Sequence, residues 1–420
     1  MIEMTELLPG ITLRCFPDDR FKQSCLSIQL VRPLLSEEAA MNALIPAVLL
    51  RGCSTAPDLR AVTLRLDDLY GASVGEQVRR IGDLQTTGFY CNFIADRYTL
   101  DGEALLAPMV AFVGQLLLEP VTEKGIFRKS YVESEKKNLI STLQTQLNDK
   151  RVYAGSRLME TMCQNDPFGV PRLGRVADVK KVTAKKLYTH YRKILTESRI
   201  DLFYVGPQPA VQVAAALKPM LDRLDRNYKP LPAQTPFRGG PESHVTETMD
   251  VTQGKLAVGY TTPITSRHPD FAAMQVLCTL FGAGMTSKLF VNIREKQSLC
   301  YDIGSAYYGS KGILTVSAGI DWDKEQLVRT EIEKQLAACQ NAQISQEELT
   351  GAKESLCSAL LGTHDSPGAI EGYYESGAIS GLGISPTEYI DNVQAVSAVD
   401  CARAAATLRL HSSFFLKGGV

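Results

Sequence analysis

Apolar residues in the first half of the chain repeat at helical spacing in some segments and alternate in others. Spacing of three and four residues predicts amphipathic or buried helices, and strict alternation predicts half-buried strands. The predicted helices span residues 39–50, 58–70, 102–118 and 122–147. The predicted strands span residues 72–80 and 87–94.

The second half repeats this order of patterns. It is predicted to form a strand at 255–261, helices at 269–281 and 287–295, strands at 299–307 and 312–319, and helices at 323–338 and 345–361. FYCNFIAD in the first half matches LTVSAGID in the second as a strand that leads into an acidic helix start. VTEKGIFRKSYVESEKKNLISTL likewise resembles ISQEELTGAKESLCSALLG, and each begins with a Thr or Ser N-cap.

A proline-rich segment separates the two halves. NYKPLPAQTPFRGGPESHV, residues 227–245, contains four prolines and a Gly-Gly pair, so it cannot continue a helix or a central strand. We therefore predict an N-terminal domain at 1–228, a linker at 229–245 and a C-terminal domain at 246–420.

Runs of strands beside runs of helices within each half indicate the α+β class. We predict two duplicated domains, each with an antiparallel-dominated sheet and helices packed on one face. A repeat of about 200 residues is far longer than the periods of solenoid proteins, so the chain is not a repeat array.

Composition narrows the classes of function and the compartment. Lys and Arg number 45 against 46 Asp and Glu, and a net charge of −1 gives no reason to expect nucleic acid or an anionic membrane as partner. No apolar run reaches the length of a membrane span, and the N-terminal residues do not have the pattern of a signal peptide. Ten scattered cysteines without a C-x-x-C pair predict reduced thiols and a cytoplasmic protein.

Few residues in the chain are suited to hold a metal or to act as a nucleophile. The five histidines lie at positions 190, 244, 268, 364 and 411, and no two have the spacing of a shared helical face. A zinc site built within this chain is therefore not expected. GASVG at 71–75 matches the letters of a nucleophile elbow, but a helix precedes it and a strand follows, so Ser73 is interpreted as a turn residue.

The segment TSKLFVNIREKQSLCYDIGSAY, residues 286–307, carries the clearest motif. It resembles the SxLfxxlREkxgLaYsv signature in the C-terminal domain of pitrilysin/insulinase-type zinc peptidases, a group that includes mitochondrial processing peptidase. The duplicated halves and the position of the linker match the same family over nearly the whole chain. The resemblance implies the family's two-domain fold.

Active members of that family carry an inverted zinc motif, H-x-x-E-H, in the first helix of the N-terminal domain. The matching residues here are Ala43 and Ala47 for the two histidines and Pro46 for the glutamate base. The third ligand falls near Thr142. Methyl groups and a proline ring cannot bind zinc or move a proton, so the resemblance implies that this chain holds no cofactor and cleaves no peptide alone.

The other half of the family's site is present. In active relatives an Arg and a Tyr seven residues apart hold the scissile carbonyl, and Arg294 and Tyr301 match them in type and spacing. Guanidinium and phenol groups are donors that can stabilise a developing oxyanion. The alternative interpretation is that Arg294 is a solvated cation at a helix end and Tyr301 a packed strand residue.

Three functions remain open at this point. The first is the non-zinc subunit of a heterodimeric peptidase, as in some bacterial members of the family, with zinc on a partner subunit and an extended peptide as substrate. The second is a structural or scaffold protein in which Arg294 and Tyr301 have no role. The third is a peptide-binding module without hydrolysis, and a homodimer is also possible if the zinc-bearing partner is absent.

Overall fold

The computed structural model describes residues 2–418, which form two compact units. Unit 1 contains the chain up to Gln144, then Val170–Ala233 and Asp365–Glu375. Unit 2 contains Thr145–Gly169, Gln234–His364 and the residues from Ser376 onward. Each unit therefore contains a segment whose neighbours in sequence belong to the other unit.

Unit 1 is built on a six-stranded sheet with the order β1-β2-β8-β3-β5-β4. Its strands are β1 (Glu3–Leu8), β2 (Ile11–Pro17), β3 (Gln23–Pro33), β4 (Ser73–Ile81), β5 (Leu84–Ile94) and β8 (Arg199–Gly206); the short hairpin β6 (Thr122–Glu123) and β7 (Ile126–Phe127) stands apart. Only the β2–β8 pairing is parallel. The long pairing of β3 with β5 runs from Gln23–Ile94 to Pro33–Leu84 without a register shift.

The helices of unit 1 bury the main core against one face of this sheet. They are α1 (Ser36–Leu49), α2 (Leu59–Asp68), α3 (Leu106–Leu118), α4 (Lys129–Asn148), which extends past Gln144, α6 (Val176–Lys181), α7 (Ala184–Glu197) and α8 (Ala210–Leu221). Alternate residues of β3, such as Leu26, Ile28 and Leu30, join α1, α3, α7 and α8 in one apolar cluster. Successive side chains of a strand point to opposite faces of the sheet, so these alternate residues share the face that the helices cover.

Unit 2 is built on a five-stranded sheet with the order β11-β12-β10-β13-β9. Its strands are β9 (Ser243–Met249), β10 (Gly254–Thr261), β11 (Cys300–Tyr308), β12 (Ile313–Ile320) and β13 (Arg409–Gly418). Its helices are α5 (Lys150–Met162), α9 (Phe271–Gly282), α10 (Glu325–Gln340), α11 (Gln346–Leu361), α12 (Pro367–Ser380), which begins in unit 1, α13 (Pro386–Ala395) and α14 (Ala398–Ala405).

The two sheets repeat one topology. Reading from the parallel pair, β2-β8-β3-β5-β4 in unit 1 corresponds to β9-β13-β10-β12-β11 in unit 2. In both sheets the first pairing is parallel and the remaining ones are antiparallel. The predicted α+β class and the duplicated, antiparallel-dominated architecture are confirmed.

The two segments that belong to a different unit from the residues on either side of them occupy equivalent places in the repeat. Helix α5 follows α4 in the first half, and α12 follows α11 in the second. Helix α5 packs Ala154 and Leu158 on Ala257, Phe414 and Leu416 of the unit 2 sheet. The start of α12 instead packs Ile370 into a small apolar cluster of unit 1. One helix of each half thus completes the other half's unit by covering part of the second face of its sheet.

Two predicted helices differ in conformation from the observed ones, and a third, predicted at 102–118, begins only at Leu106. The helix predicted at 122–147 starts at Lys129, because Lys124 and Gly125 take φ angles of 54° and 77° and turn the chain into the β6–β7 hairpin. The helix predicted at 287–295 ends in a π-helical turn, Phe290–Glu295. Both segments have apolar residues at helical spacing. The turn at Lys124–Gly125 delays the start of the first helix, and a π-helical turn replaces the end of the second.

The proline-rich segment forms no helix or strand up to residue 242, and its last residues, 243–245, begin β9, so the strand starts before the predicted end of the linker. Its later part is nevertheless bound to unit 2. The Phe237 amide donates to the Lys311 carbonyl at 2.9 Å, and the Arg238 amide donates to Asp166 Oδ2 at 3.1 Å. His411 Nε2 donates to the Gly240 carbonyl at 3.1 Å. These contacts fix residues 237–240 on unit 2 and satisfy part of the backbone of a segment whose prolines lack amide donors.

Candidate functional site

Arg294 lies in the π-helical turn that ends before β11. The turn closes with the amide of Ser298 donating to the Arg294 carbonyl at 3.1 Å, and Ser298 itself has a φ angle of 52°. The Arg294 side chain is exposed, and its guanidinium carbon lies 4.5 Å from the centre of the Phe290 ring. This cation–π contact orients the side chain without neutralising its charge.

Tyr301 lies at an irregularity in the pairing of β11 with β12. Cys300 pairs with Ile320 and Asp302 with Gly319, so Tyr301 is the extra residue of a β-bulge. Its ring is 59% exposed, whereas Cys300 beside it is buried. A bulge rotates one residue out of the regular alternation, and that is how this phenol comes to face solvent.

The Tyr301 hydroxyl is held by a carboxylate at the end of β12. It donates to Asp321 Oδ1 at 2.9 Å, and Lys324 Nζ donates to Asp321 Oδ2 at 2.7 Å. The hydrogen bond to Asp321, followed by the charge of that carboxylate, raises the pKa of Tyr301. The phenol therefore stays protonated and remains a donor. Phe290 and Asp321 lie within segments matched in the sequence, but the sequence assigned no role to them or to Lys324. The Tyr301–Asp321 contact joins two neighbouring strands and depends on their pairing.

Arg294 and Tyr301 thus occupy two backbone irregularities within one short segment. π-Helical turns and β-bulges cost regular hydrogen bonds, and both are enriched at functional sites. A left-handed non-glycine residue, Ser298, lies between them. An ordinary surface arginine and a packed strand tyrosine would need neither feature.

Helix α1 carries the residues that match the zinc motif. Ala43 and Pro46 are buried and Ala47 is half-buried. Pro46 has no amide to donate to the Asn42 carbonyl one turn earlier. Thr87 Oγ1 on β5 donates to that carbonyl instead, at 2.5 Å. The helix therefore continues through the proline, and the position matched to the catalytic base has a structural role.

The Asn42 side chain extends this polar network into the core. Its Nδ2 donates to Gln85 Oε1 at 2.8 Å, and His190 Nε2 donates to its Oδ1 at 2.7 Å. Burial lowers the pKa of His190 to about 4, and the nearby Glu38 opposes that shift only partly. His190 is thus a neutral core residue, bound to an amide beside the matched positions.

Helix α4 supplies the position matched to the third ligand. Thr142 is exposed, while Glu135, two turns earlier, is buried and lies 3.3 Å from Arg51 Nη1. The Arg51 guanidinium also lies over the Tyr131 ring at 5.1 Å. The Arg51 guanidinium therefore occupies the position beside the Glu135 carboxylate of α4.

These residues do not fit a zinc ion. Zn²⁺ in proteins takes imidazole, thiolate and carboxylate donors in tetrahedral sites, and two alanine methyls, a proline ring and a threonine hydroxyl offer no such set. Within residues 2–418, no three His, Cys, Asp or Glu side chains come together as a metal site would require. No helix in that range has both the length and the apolar character needed to cross a bilayer.

Comparison with known proteins assigns this chain to one family. A family model described as the peptidase M16 inactive domain matches residues 181–356. The chain is 30% identical over 409 residues to a Bacillus subtilis protein described as the probable inactive metalloprotease YmfF, covering 97% of this chain and 96% of that one.

Two solved structures share the fold over the full length. A conserved protein from Enterococcus faecalis superimposes with a TM-score of 0.92 at 27% identity, covering 100% of this chain and 99% of that one. A peptidase M16 inactive domain from Pseudomonas fluorescens superimposes with a TM-score of 0.82 at 16% identity, covering 100% and 98%.

The chain belongs to the M16 family of pitrilysin/insulinase-type peptidases, and the predicted resemblance is confirmed. It is a catalytically incomplete member, because the matching family model is described as an inactive domain and a relative that spans nearly the whole chain as a probable inactive metalloprotease. The residues matched to the zinc motif, Ala43, Pro46 and Ala47, offer no metal ligand.

Proposed function

We propose that this chain is the non-zinc subunit of a heterodimeric M16-type peptidase, and that it presents Arg294 and Tyr301 to a scissile peptide carbonyl at a zinc ion held by a partner subunit. One observation carries the proposal. The two donors are kept at the family spacing and lie exposed on a π-helical turn and a β-bulge, in a chain whose metal-binding positions are lost.

Arg294 and Tyr301 are suited to stabilise the transition state of peptide hydrolysis. A guanidinium and a protonated phenol can both donate to the oxygen on which negative charge develops during amide hydrolysis. Removing one such donor typically lowers kcat by about 10²–10³-fold. Peptides processed or degraded by the assembled enzyme would be the substrates, and the ten free cysteines support a reducing compartment such as the cytoplasm of a bacterium.

The test begins with a tagged pull-down from a soluble extract of the native organism, followed by mass spectrometry. We expect a stoichiometric second chain of similar size that carries H-x-x-E-H and zinc, and peptide hydrolysis that requires both chains. Arg294→Ala with Tyr301→Phe is then expected to abolish most hydrolysis while the complex still forms. A matched pair of exposed substitutions in unit 1, Arg65→Ala with Tyr98→Phe, serves as control. Full activity of the Arg294/Tyr301 variant in the complex contradicts the proposal.

A scaffold or peptide-binding role is the second candidate. It is favoured by the contacts within the chain, since the Tyr301 hydroxyl is engaged by Asp321 and the Arg294 guanidinium stacks on Phe290. A scaffold role predicts that the double substitution is silent in the assembled state. A peptide-binding module predicts that the chain alone binds fluorescein-labelled extended peptides in an anisotropy titration, with no partner required.

A further inference from the structure

The beginning of α12 is anchored in unit 1 by apolar contacts. Ile370 is fully buried with Phe16, Phe203 and their neighbours. The Tyr374 ring lies 6.0 Å from the Phe16 ring and 6.4 Å from the Phe203 ring, measured between centroids. These contacts place the same face of α12 over the sheet face opposite the main core, where β2 and β8 carry charged residues.

One buried carboxylate of this segment is fully paired. Glu371 is 0% exposed, and the Arg79 guanidinium on β4 donates to both its oxygens, at 3.1 Å and 2.6 Å. A bidentate Arg–carboxylate pair is the strongest arrangement of this kind. Burial raises the pKa of Cys25 on β3 and of Tyr90 on β5, and the Glu371 charge adds a smaller contribution in the same direction, so both groups stay neutral.

The second buried carboxylate, one turn later, is not paired in this way. Glu375 is 1% exposed, and neither of its oxygens has a hydrogen-bond partner among residues 2–418. Arg14 Nη1 on β2 lies 3.8 Å from Glu375 Oε2 and 3.3 Å from Asp201 Oδ1 on β8, and it makes no hydrogen bond to either carboxylate. Arg199 Nη2 donates to Asp201 Oδ2 at 2.6 Å.

Burial, more than the sum of the surrounding charges, therefore opposes a negative charge on Glu375. Burial, and then the Asp201 carboxylate, raise the pKa of Glu375 well above its usual range, and Glu371 adds to this shift. Arg14 and then Arg199 act in the opposite direction but do not offset it. An ionised carboxylate without hydrogen bonds in such a place would destabilise the docked segment.

We propose that Asp365–Glu375 is a pH-sensitive clasp, docked on unit 1 while Glu375 carries a proton and released as rising pH removes it. Once the segment is undocked, Glu375 is solvated and titrates near the ordinary value of about 4.3. The docked state thus binds one more proton than the undocked state between that value and the raised pKa. Its stability is complete at acid pH and falls as pH rises through this window, by about tenfold in the opening equilibrium per pH unit.

Hydrogen–deuterium exchange on the full chain tests this from about pH 5 to about pH 9, with rates corrected for the intrinsic pH dependence of exchange. We expect the protection of amides in 370–375 to fall with pH in the wild type. Glu375→Gln cannot ionise and is expected to give a pH-independent value. Glu354→Gln, which changes an exposed carboxylate on α11, is the matched control and is expected to keep the wild-type slope.

Two further variants separate the proposed titration from general loosening. Glu371→Gln breaks the pair with Arg79, so protection is expected to fall at every pH while the slope remains. Asp201→Asn removes the neighbouring charge, so the slope is expected to end at a lower pH. Protection that is independent of pH in the wild type overturns the proposal even if Glu375→Gln does not fold. A slope that persists in Glu375→Gln overturns it as well.

Discussion

Lys311 and Asp166 form an ion pair whose side chains are both 0% exposed, within unit 2. Lys311 Nζ lies 2.9 Å from Asp166 Oδ2 and also donates to the Thr235 carbonyl at 2.9 Å. Asp166 accepts in addition from the amides of Phe168 and Arg238, at 2.9 Å and 3.1 Å. The pair therefore ties the segment after α5 to the proline-rich segment and to the turn before β12.

Lys311→Met keeps most of the aliphatic chain and removes the charge. Asp166 is then left as a buried carboxylate with only two backbone donors. Removing one partner of a buried pair typically costs about 3–5 kcal/mol. The two amides that Asp166 retains place the expected loss toward ~3 kcal/mol in the free energy of unfolding of unit 2.

Urea denaturation measures this loss, with Trp322 as the reporter. It is the one tryptophan of the chain, and its ring packs against Gly418 in unit 2. With an m-value of about 2 kcal/mol/M, the midpoint is expected to fall by ~1.5 M. Lys334→Met is the control, because Lys334 is exposed and pairs with Glu331 at the surface, where such pairs contribute about 0–1 kcal/mol.

A second variant tests the cause of the loss. Lys311→Met combined with Asp166→Asn removes both charges and is expected to recover much of the lost stability, since the penalty comes mainly from the unpaired carboxylate. A single Lys311→Met variant within about 1 kcal/mol of the wild type would refute the reasoning. So would a double variant that loses the sum of the two single effects.

Three further predictions concern unit 1 and the candidate site. Thr87→Val removes the donor to the Asn42 carbonyl and is expected to lower the free energy of unfolding by about 1–3 kcal/mol, measured by urea denaturation. His190, with its pKa lowered to about 4, must be protonated on unfolding, so stability is expected to fall as pH drops from about 6.5 toward 4, and His190→Gln is expected to flatten that part of the profile. Asp321→Ala removes the hydrogen bond that raises the pKa of Tyr301, so the Tyr301 ring signal in ¹³C NMR is expected to titrate at lower pH; an unchanged midpoint would contradict the assigned contact.

The candidate site was predictable to the extent that it depends on residue types at fixed spacing. Arg294 and Tyr301 are seven residues apart in the sequence, and Ala43, Pro46 and Ala47 lie within one short segment, so both sets could be proposed without coordinates. Their surroundings could not. Asp321, which holds the Tyr301 hydroxyl, comes from the neighbouring strand, and Thr87, which replaces the hydrogen bond missing at Pro46, comes from β5.

The sequence by itself indicated the α+β class, the internal duplication, the family and the elements within residues 39–147 and 255–361, whereas the elements outside those ranges were not predicted. Periodicity, proline content and residue chemistry are local properties, and they can be read along the chain. The first and last residues of the helices and strands were predicted less accurately, because turns such as Lys124–Gly125 depend on the φ angles of one or two residues.

Only the tertiary structure decided which unit α5 and the start of α12 complete. The pattern of apolar residues in a helix can indicate that one face is buried, but it does not identify the surface that covers this face. The answer lies in long-range partners: Ala257, Phe414 and Leu416 for α5, and Arg79 for Glu371. Whether a charged group can be buried depends on partners that are distant in sequence. The sequence therefore gives no sign that Glu375, Lys311 and Asp166 are buried, and only the folded structure shows it.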